Sequence, residues 1–127
     1  MSVSDALDAL RLEIPGCSLV AFADLSSKIV LTASSETNPA RETLDALSAA
    51  AHLVLDGPIA DGAAPVWGDP DSAAAMGMLF SSSVGRVFMR SPGENPEALI
   101  CVCAPDCDLE LVVDCARTTL KRIVSET

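Results

Sequence analysis

Five cysteines, one histidine, a run of three serines and a loop rich in carboxylates are the residues of this 127-residue chain whose chemistry could act on a substrate. Cys17, Cys101, Cys103, Cys107 and Cys115 include no C-x-x-C pair, and an odd number does not close a disulfide framework. Cys101 and Cys103 alternate within an apolar run and so share one face of a strand, where a buried free cysteine behaves as a small hydrophobe. A zinc site on Cys101, Cys103 and Cys107 would need a fourth ligand, and the single histidine, His52, lies far away in sequence. Nucleophilic catalysis needs a serine or cysteine, a base and an orienting acid. His52 falls in the middle of a helical pattern, no G-x-S-x-G turn occurs, and Ser81-Ser82-Ser83 at a strand end suits the satisfaction of local backbone groups. Neither glycine pattern that cradles phosphate is present. Asp56, Asp61, Asp69 and Asp71 share one loop without calcium-loop spacing and read as solvated charge. These residues point to no catalytic centre, no metal site and no cofactor.

The elements that would position such residues are legible from capping and periodicity. Ser4 can cap a short first helix running to about Arg11, with Leu7, Leu10 and Ile14 inward and Pro15-Gly16 as its stop. Cys17 to Leu25 and Lys28 to Ser34 read as strands joined by a hairpin at Leu25-Ser26-Ser27-Lys28, a turn without glycine. Asn38-Pro39 starts a helix that extends to about Asp56, with Leu44, Leu47, Ala51, Val54 and Leu55 as its core stripe and Ala46, Ala49 and Ala50 as a smooth flank. Gly57-Pro58 ends it.

The segment from Asp56 to about Ser72 has no periodicity and is longer than most connections in compact domains. It carries Trp67, the one tryptophan, which either contacts a partner or folds back over the edge of its own core. Three strands follow, Ala75 to Ser81, Arg86 to Arg90 and Ala98 to Ala104, the last two joined by a turn at residues 91–96. Asp106 or Asp108 caps a final helix with Leu109, Val112, Val113, Ala116, Leu120, Ile123 and Val124 at helical spacing.

Several strands are apolar at consecutive positions, Leu19-Val20-Ala21-Phe22 and Leu99-Ile100-Cys101-Val102 among them, so both faces of the sheet must be covered. Three helices are available for that. The expected fold is α+β: a three-layer α/β/α sandwich around a five-stranded, mostly antiparallel sheet, in the order αββαβββα, with residues 1–127 forming one domain.

Charge and hydropathy bound the partners. Eighteen acidic against eight basic residues give a net charge of -10 and a pI near 4.2, a field that repels nucleic acid and anionic membranes. No apolar stretch approaches the roughly 18 to 20 residues of a bilayer span, so membrane insertion is not expected. Met1 to Ala9 contain Asp5 and Asp8 and no Lys or Arg, unlike a secretory leader, and a cytoplasmic location is the expectation. Mean hydropathy is nevertheless +0.38, and a short chain must hide surplus apolar surface somewhere; a homodimer interface does so most simply.

In its order of elements the chain resembles the roadblock family, small dimeric domains first associated with dynein light chains and found in bacterial regulators of small GTPases. The likeness covers nearly the whole chain. It rests on Pro15-Gly16 leading into the strand from Cys17, on Asp24 at the hairpin, on the alanine-rich helix from Pro39 to Asp56, and on Asp108-Leu109 opening the last helix. Departures are Leu25-Ser26-Ser27-Lys28 where the family often has glycine, and Asp108-Leu109-Glu110 where it often has Asn-Leu-Gly.

The resemblance implies a homodimer in which the middle helix and the strand after the long loop meet their symmetry mates, through Leu47, Ala50, Ala51, Val54, Met76, Met78 and Phe80. An open apolar edge such as Met76 to Phe80 independently needs a partner strand to avoid aggregation. A non-enzymatic adaptor whose dimer platform binds a small Ras-like GTPase or signalling partner is the functional expectation, with Trp67, Arg86 and Arg90 as partner contacts; were hydrolysis involved, Arg41 joins the two arginines as a source of positive charge. The alternative is a small-molecule-sensing domain of the PAS or profilin-like kind, against which the few aromatics argue.

Overall fold

The computed structural model describes residues 2–27, 29–36, 40–55, 76–91 and 97–125. Helix α1 (Val3–Glu13) starts at Ser2 rather than at Ser4, because only Ser2 has an acid three residues on that can return its bond. Ser2 Oγ accepts from the Asp5 backbone N–H at 3.1 Å, and the Asp5 carboxylate accepts from the Ser2 N–H at 3.4 Å. The helix turns Ala6, Leu7 and Leu10 inward and ends at Ile14, held extended ahead of Pro15. Gly16 then takes a φ of +84°, a left-handed turn that lets its carbonyl accept from Ala104 N at 3.0 Å.

Strands β1 (Cys17–Asp24) and β2 (Ile29–Ser35) form the first hairpin. Its turn manages without glycine because Asp24 supplies the missing order: Oδ1 accepts from Ser26 N at 2.9 Å and from Ser26 Oγ at 2.7 Å. The hairpin register slips by one residue between Phe22 and Ala23, a bulge that places Leu31 outside the regular pairing. Buried Ser34 ties β2 to α1, donating to the Asp8 carboxylate and accepting from Arg11 Nε at 2.9 Å.

Helix α2 (Arg41–Leu55) takes its first turn on the Ala40 carbonyl, which accepts from Thr43 N and Leu44 N. The expected Asn38-Pro39 start and the end at Asp56 lie outside the described residues. Strand β3 (Met76–Phe80) leads through a turn at Ser81–Val84 into β4 (Gly85–Arg90), and β5 (Glu97–Cys103) precedes helix α3 (Leu109–Ser125). Asp108, not Asp106, caps α3, with its Oδ1 accepting from Leu111 N at 3.2 Å. Ser81 Oγ accepts from Val84 N at 3.2 Å, so the first residue of the serine run organises its own turn.

The sheet runs in the order β2-β1-β5-β4-β3, with every neighbouring pair antiparallel. Alternation along the strands divides the core in two. Phe22, Val87, Met89, Leu99, Cys101 and their neighbours meet α1 and α3 on one face. Ala21, Ala23, Val30, Phe88, Ala98 and Ile100 meet Leu47, Ala51 and Leu55 of α2 on the other. This is the expected three-layer α+β arrangement, αββαβββα. Two helices cover one face and a single helix covers the other. The small residues Ala21, Ala23 and Ala98 beneath α2 let that helix lie close, and it touches all five strands.

Candidate protein-interaction surface

On the face covered by α2 the fold leaves apolar surface exposed, as it also does at Leu12 of α1 and at Ile29 and Leu31 of β2. Leu47 and Ala51 point into the chain's own core, with 5% and 0% of their surface exposed. On the opposite side of the helix Ala46 and Ala49 are exposed, and half of Leu53 is open to solvent. Ala50 lies between, partly buried against the same core. Leu53 was not singled out by its pattern, yet it stands nine residues after Leu44, about 180° around the helix from the inward stripe at roughly 100° per residue. That angle was the available signal. The side chain of Val54 lies outside what the structure describes.

Strand β3 is the second part of this surface. It pairs with β4 on one side, through Met76 opposite Met89 to Phe80 opposite Gly85, and is the end strand of the sheet. Met78 stands opposite Val87 and packs partly buried against the α1/α3 core. The backbone edge and the α2-side face of β3, rather than the Met78 side chain, are what this end of the sheet offers. Met76 and Phe80 lie on β3, and their side chains are not described.

The two arginines expected at a partner contact both lie on β4 and share the α2 side of the sheet with Phe88 between them. Arg90 Nη2 donates to the Leu55 carbonyl at 2.9 Å, satisfying the last turn of α2, and partial burial draws its pKa below the usual arginine value. Arg86 is half-buried, and its Nε is buried without a hydrogen-bond partner, as are Ser48 Oγ and His52 Nδ1 on α2. Arg41 is exposed and pairs with Asp45 at 3.3 Å, one turn along the same helix. Trp67 falls outside the described residues.

No group of three or more His, Cys, Asp or Glu side chains among the described residues could hold a metal ion, and no helix among them is long and apolar enough to cross a membrane. A surface pocket of about 280 Å³ lies at the start of α3, between Ile14, Pro15 and Gly16 on one side and Ala104, Cys107 and Leu111 on the other.

The same arrangement of sheet and helices is found in solved structures. A roadblock/LC7 domain from Streptomyces avermitilis superposes with a TM-score of 0.80 at 12% identity, over 99% of this chain and 98% of that one. MglC from Myxococcus xanthus matches with a TM-score of 0.67 at 14% identity over the full length of both chains. The gliding protein MglB from Thermus thermophilus matches at 0.69 and 19%, over 98% and 90%. No family model and no curated protein matches the sequence. At these identities the likeness shows the fold.

Proposed function

We propose that this chain, which has the roadblock fold, works as a non-enzymatic homodimeric adaptor, and that the surface shared by two protomers binds a small Ras-like GTPase or a signalling partner. The observation that carries the reading is the juxtaposition of an open sheet edge at β3 with the uncovered outer side of α2, where Ala46, Ala49 and Leu53 face outward. Pairing β3 with its symmetry mate extends one sheet through both protomers, and the same twofold axis sets the two α2 helices side by side. Alanines at the crossing allow close approach of the helix backbones, and Leu53 supplies apolar area. Two identical α2 helices on one continuous sheet make a platform larger than either protomer has alone.

The test is in two stages. Light scattering after size exclusion, at several concentrations, is expected to give the mass of two chains. Binding to the small GTPases of the source organism is then measured with each loaded with GDP and with a non-hydrolysable GTP analogue, and binding to at least one of them in one nucleotide state is expected. A monomer at every concentration overturns the shared platform. A dimer that binds no GTPase in either state overturns the choice of partner and leaves the platform standing.

A further inference from the structure

Cys17 opens β1 and Cys103 closes β5, and the pairing sets them opposite each other, one rung beyond a bulge at Ser18 where the register shifts between Cys17 and Leu19. The backbone bonding at this rung is specific. Ala104 N donates to the Gly16 carbonyl at 3.0 Å, one residue outside the pair, and Cys17 N donates to the Ile14 carbonyl at 3.1 Å instead of to Cys103. That is the pattern of a non-hydrogen-bonded rung, in which opposing Cα atoms stand about 4.5 Å apart and side chains come closest. A disulfide needs Cα atoms about 4.4 to 6.8 Å apart. Both side chains turn toward the α1/α3 core with 4% and 2% of their surface exposed.

The two thiols influence each other: interaction with Cys103 lowers the Cys17 pKa, and interaction with Cys17, together with burial, raises that of Cys103. In its protonated form Cys17 Sγ–H donates to the Leu19 carbonyl at 3.6 Å. Cys101, on the same face two residues earlier, is not opposite Cys17 but opposite Val20, and burial pushes its thiol far up. The residues next to the pair in sequence, Gly16 and Ala104, line the pocket at the start of α3 together with the partly exposed Cys107, so the pocket lies beside the two thiols, which do not themselves line it. That volume of about 280 Å³ accepts a solute of the size of hydrogen peroxide, given that one water takes roughly 30 Å³.

We propose that Cys17 and Cys103 form a reversible cross-strand disulfide when the chain meets a hydroperoxide. The Cys17 thiolate attacks one peroxide oxygen, the O–O bond breaks, and hydroxide leaves and takes up a proton to become water. Cys17 is then a sulfenic acid. Loss of the thiolate charge releases the hold on the Cys103 proton, the Cys103 sulfur attacks the Cys17 sulfur, the S–O bond breaks, and a second water leaves with that proton. Two thiols give up two electrons and two hydrogens, and one peroxide becomes two waters. A dithiol reductant reverses the bond by exchange.

The experiment is a disulfide map of the full-length chain after brief treatment with hydrogen peroxide and alkylation of the remaining thiols, without reduction. Trypsin with a protease cutting before aspartate separates Cys107 and Cys115 from Cys101 and Cys103, because Asp106, Asp108 and Asp114 lie between them. The expected result is a fall from five free thiols to three, with the peptide of Cys17 joined to that of Cys103, fragmentation placing the bond on Cys103 and not on Cys101, and dithiothreitol restoring five. A bond from Cys17 to Cys101, one involving Cys107, one between chains, or five thiols left unreacted in the folded protein overturns the proposal. Cys17→Ser is expected to abolish the intramolecular bond. The map of the unaltered chain decides the matter even where that variant does not fold.

Discussion

Replacing Leu53 by alanine is expected to weaken self-association without unfolding the protomer. Burying a leucine side chain completely is worth about 1.5 to 3 kcal/mol, and half of Leu53 is still exposed in the single chain. Closing a twofold interface over it removes the other half from water in both copies, so the two contributions together come to about 1.5 to 3 kcal/mol per dimer. At about 1.4 kcal/mol per tenfold, the dissociation constant rises about 10- to 150-fold. The upper end is the ceiling, because alanine keeps one carbon. Sedimentation equilibrium over a concentration series reads the constant directly for the wild type and for Leu53→Ala. Denaturant unfolding at fixed chain concentration, corrected for the dimer equilibrium, checks that the protomer loses less than about 1 kcal/mol, as expected for a side chain that solvent already reaches. Leu53→Lys places like charges near each other across the axis and is expected to give monomer throughout. A dissociation constant unchanged in Leu53→Ala refutes the placement of this helix face at the interface.

Three further outcomes test the fold beneath that surface. Phe88→Ala removes a fully buried ring where β4 faces α2 and is expected to cost about 3 to 5 kcal/mol in urea unfolding, whereas a loss below about 1 kcal/mol contradicts its position. Gly16→Ala forces a side chain onto a residue at φ +84° with its Cβ 3.3 Å from the Ala104 Cβ, and a loss of about 1 to 2 kcal/mol is expected from the backbone conformation alone, read as a lowered melting temperature. Bonds from the Ser26 side chain and backbone hold the Asp24 carboxyl below its ordinary 3.8, so its contribution is complete above that value and is lost as pH falls through the lower, folded one. The stability difference between wild type and Asp24→Ala is therefore expected to be constant near neutral pH and to shrink toward zero in strong acid; a difference that grows on acidification contradicts the sign.

How much of this was visible in the sequence depends on whether the deciding interaction is local. Strand positions followed from consecutive apolar residues, and all five strands begin and end within about two residues of their expected bounds. The consecutive apolar runs also gave the covering of both faces. Capping was readable only where the reciprocal partner was sought: Ser4 has the right chemistry, but Ser2 has Asp5 at the third position. The hairpin turn escaped a type because its order comes from the Asp24 side chain instead of from a glycine.

On the candidate surface, which helix or strand carries each residue was legible, but the direction of each side chain was not always so. The helical period had already set Leu47 and Ala51 in the core stripe, where they lie, but Met78 faces the α1/α3 side because the register of β3 against β4 decides that, and no local pattern encodes a register. The opposition of Cys17 and Cys103 is the extreme case. Their pairing joins the two ends of the central strands, and a list of cysteine spacings contains nothing of it.

The bulge opposite Phe22 and Ala23 bears on how large an assembly can grow. A sheet has two edges, and a chain with two equally flat ones could add copies without limit, each new protomer offering the next a fresh strand. Here the β3 edge keeps an unbroken register, while the far edge at β2 is bent at Leu31 and pinned to α1 through Ser34. A second chain that docks β3 against β3 uses up the flat edge of both, and what remains at each end is the irregular strand. In the proposed dimer the irregularity would act as a chain terminator, capping the count at two and keeping a sheet that spans protomers from becoming a fibre.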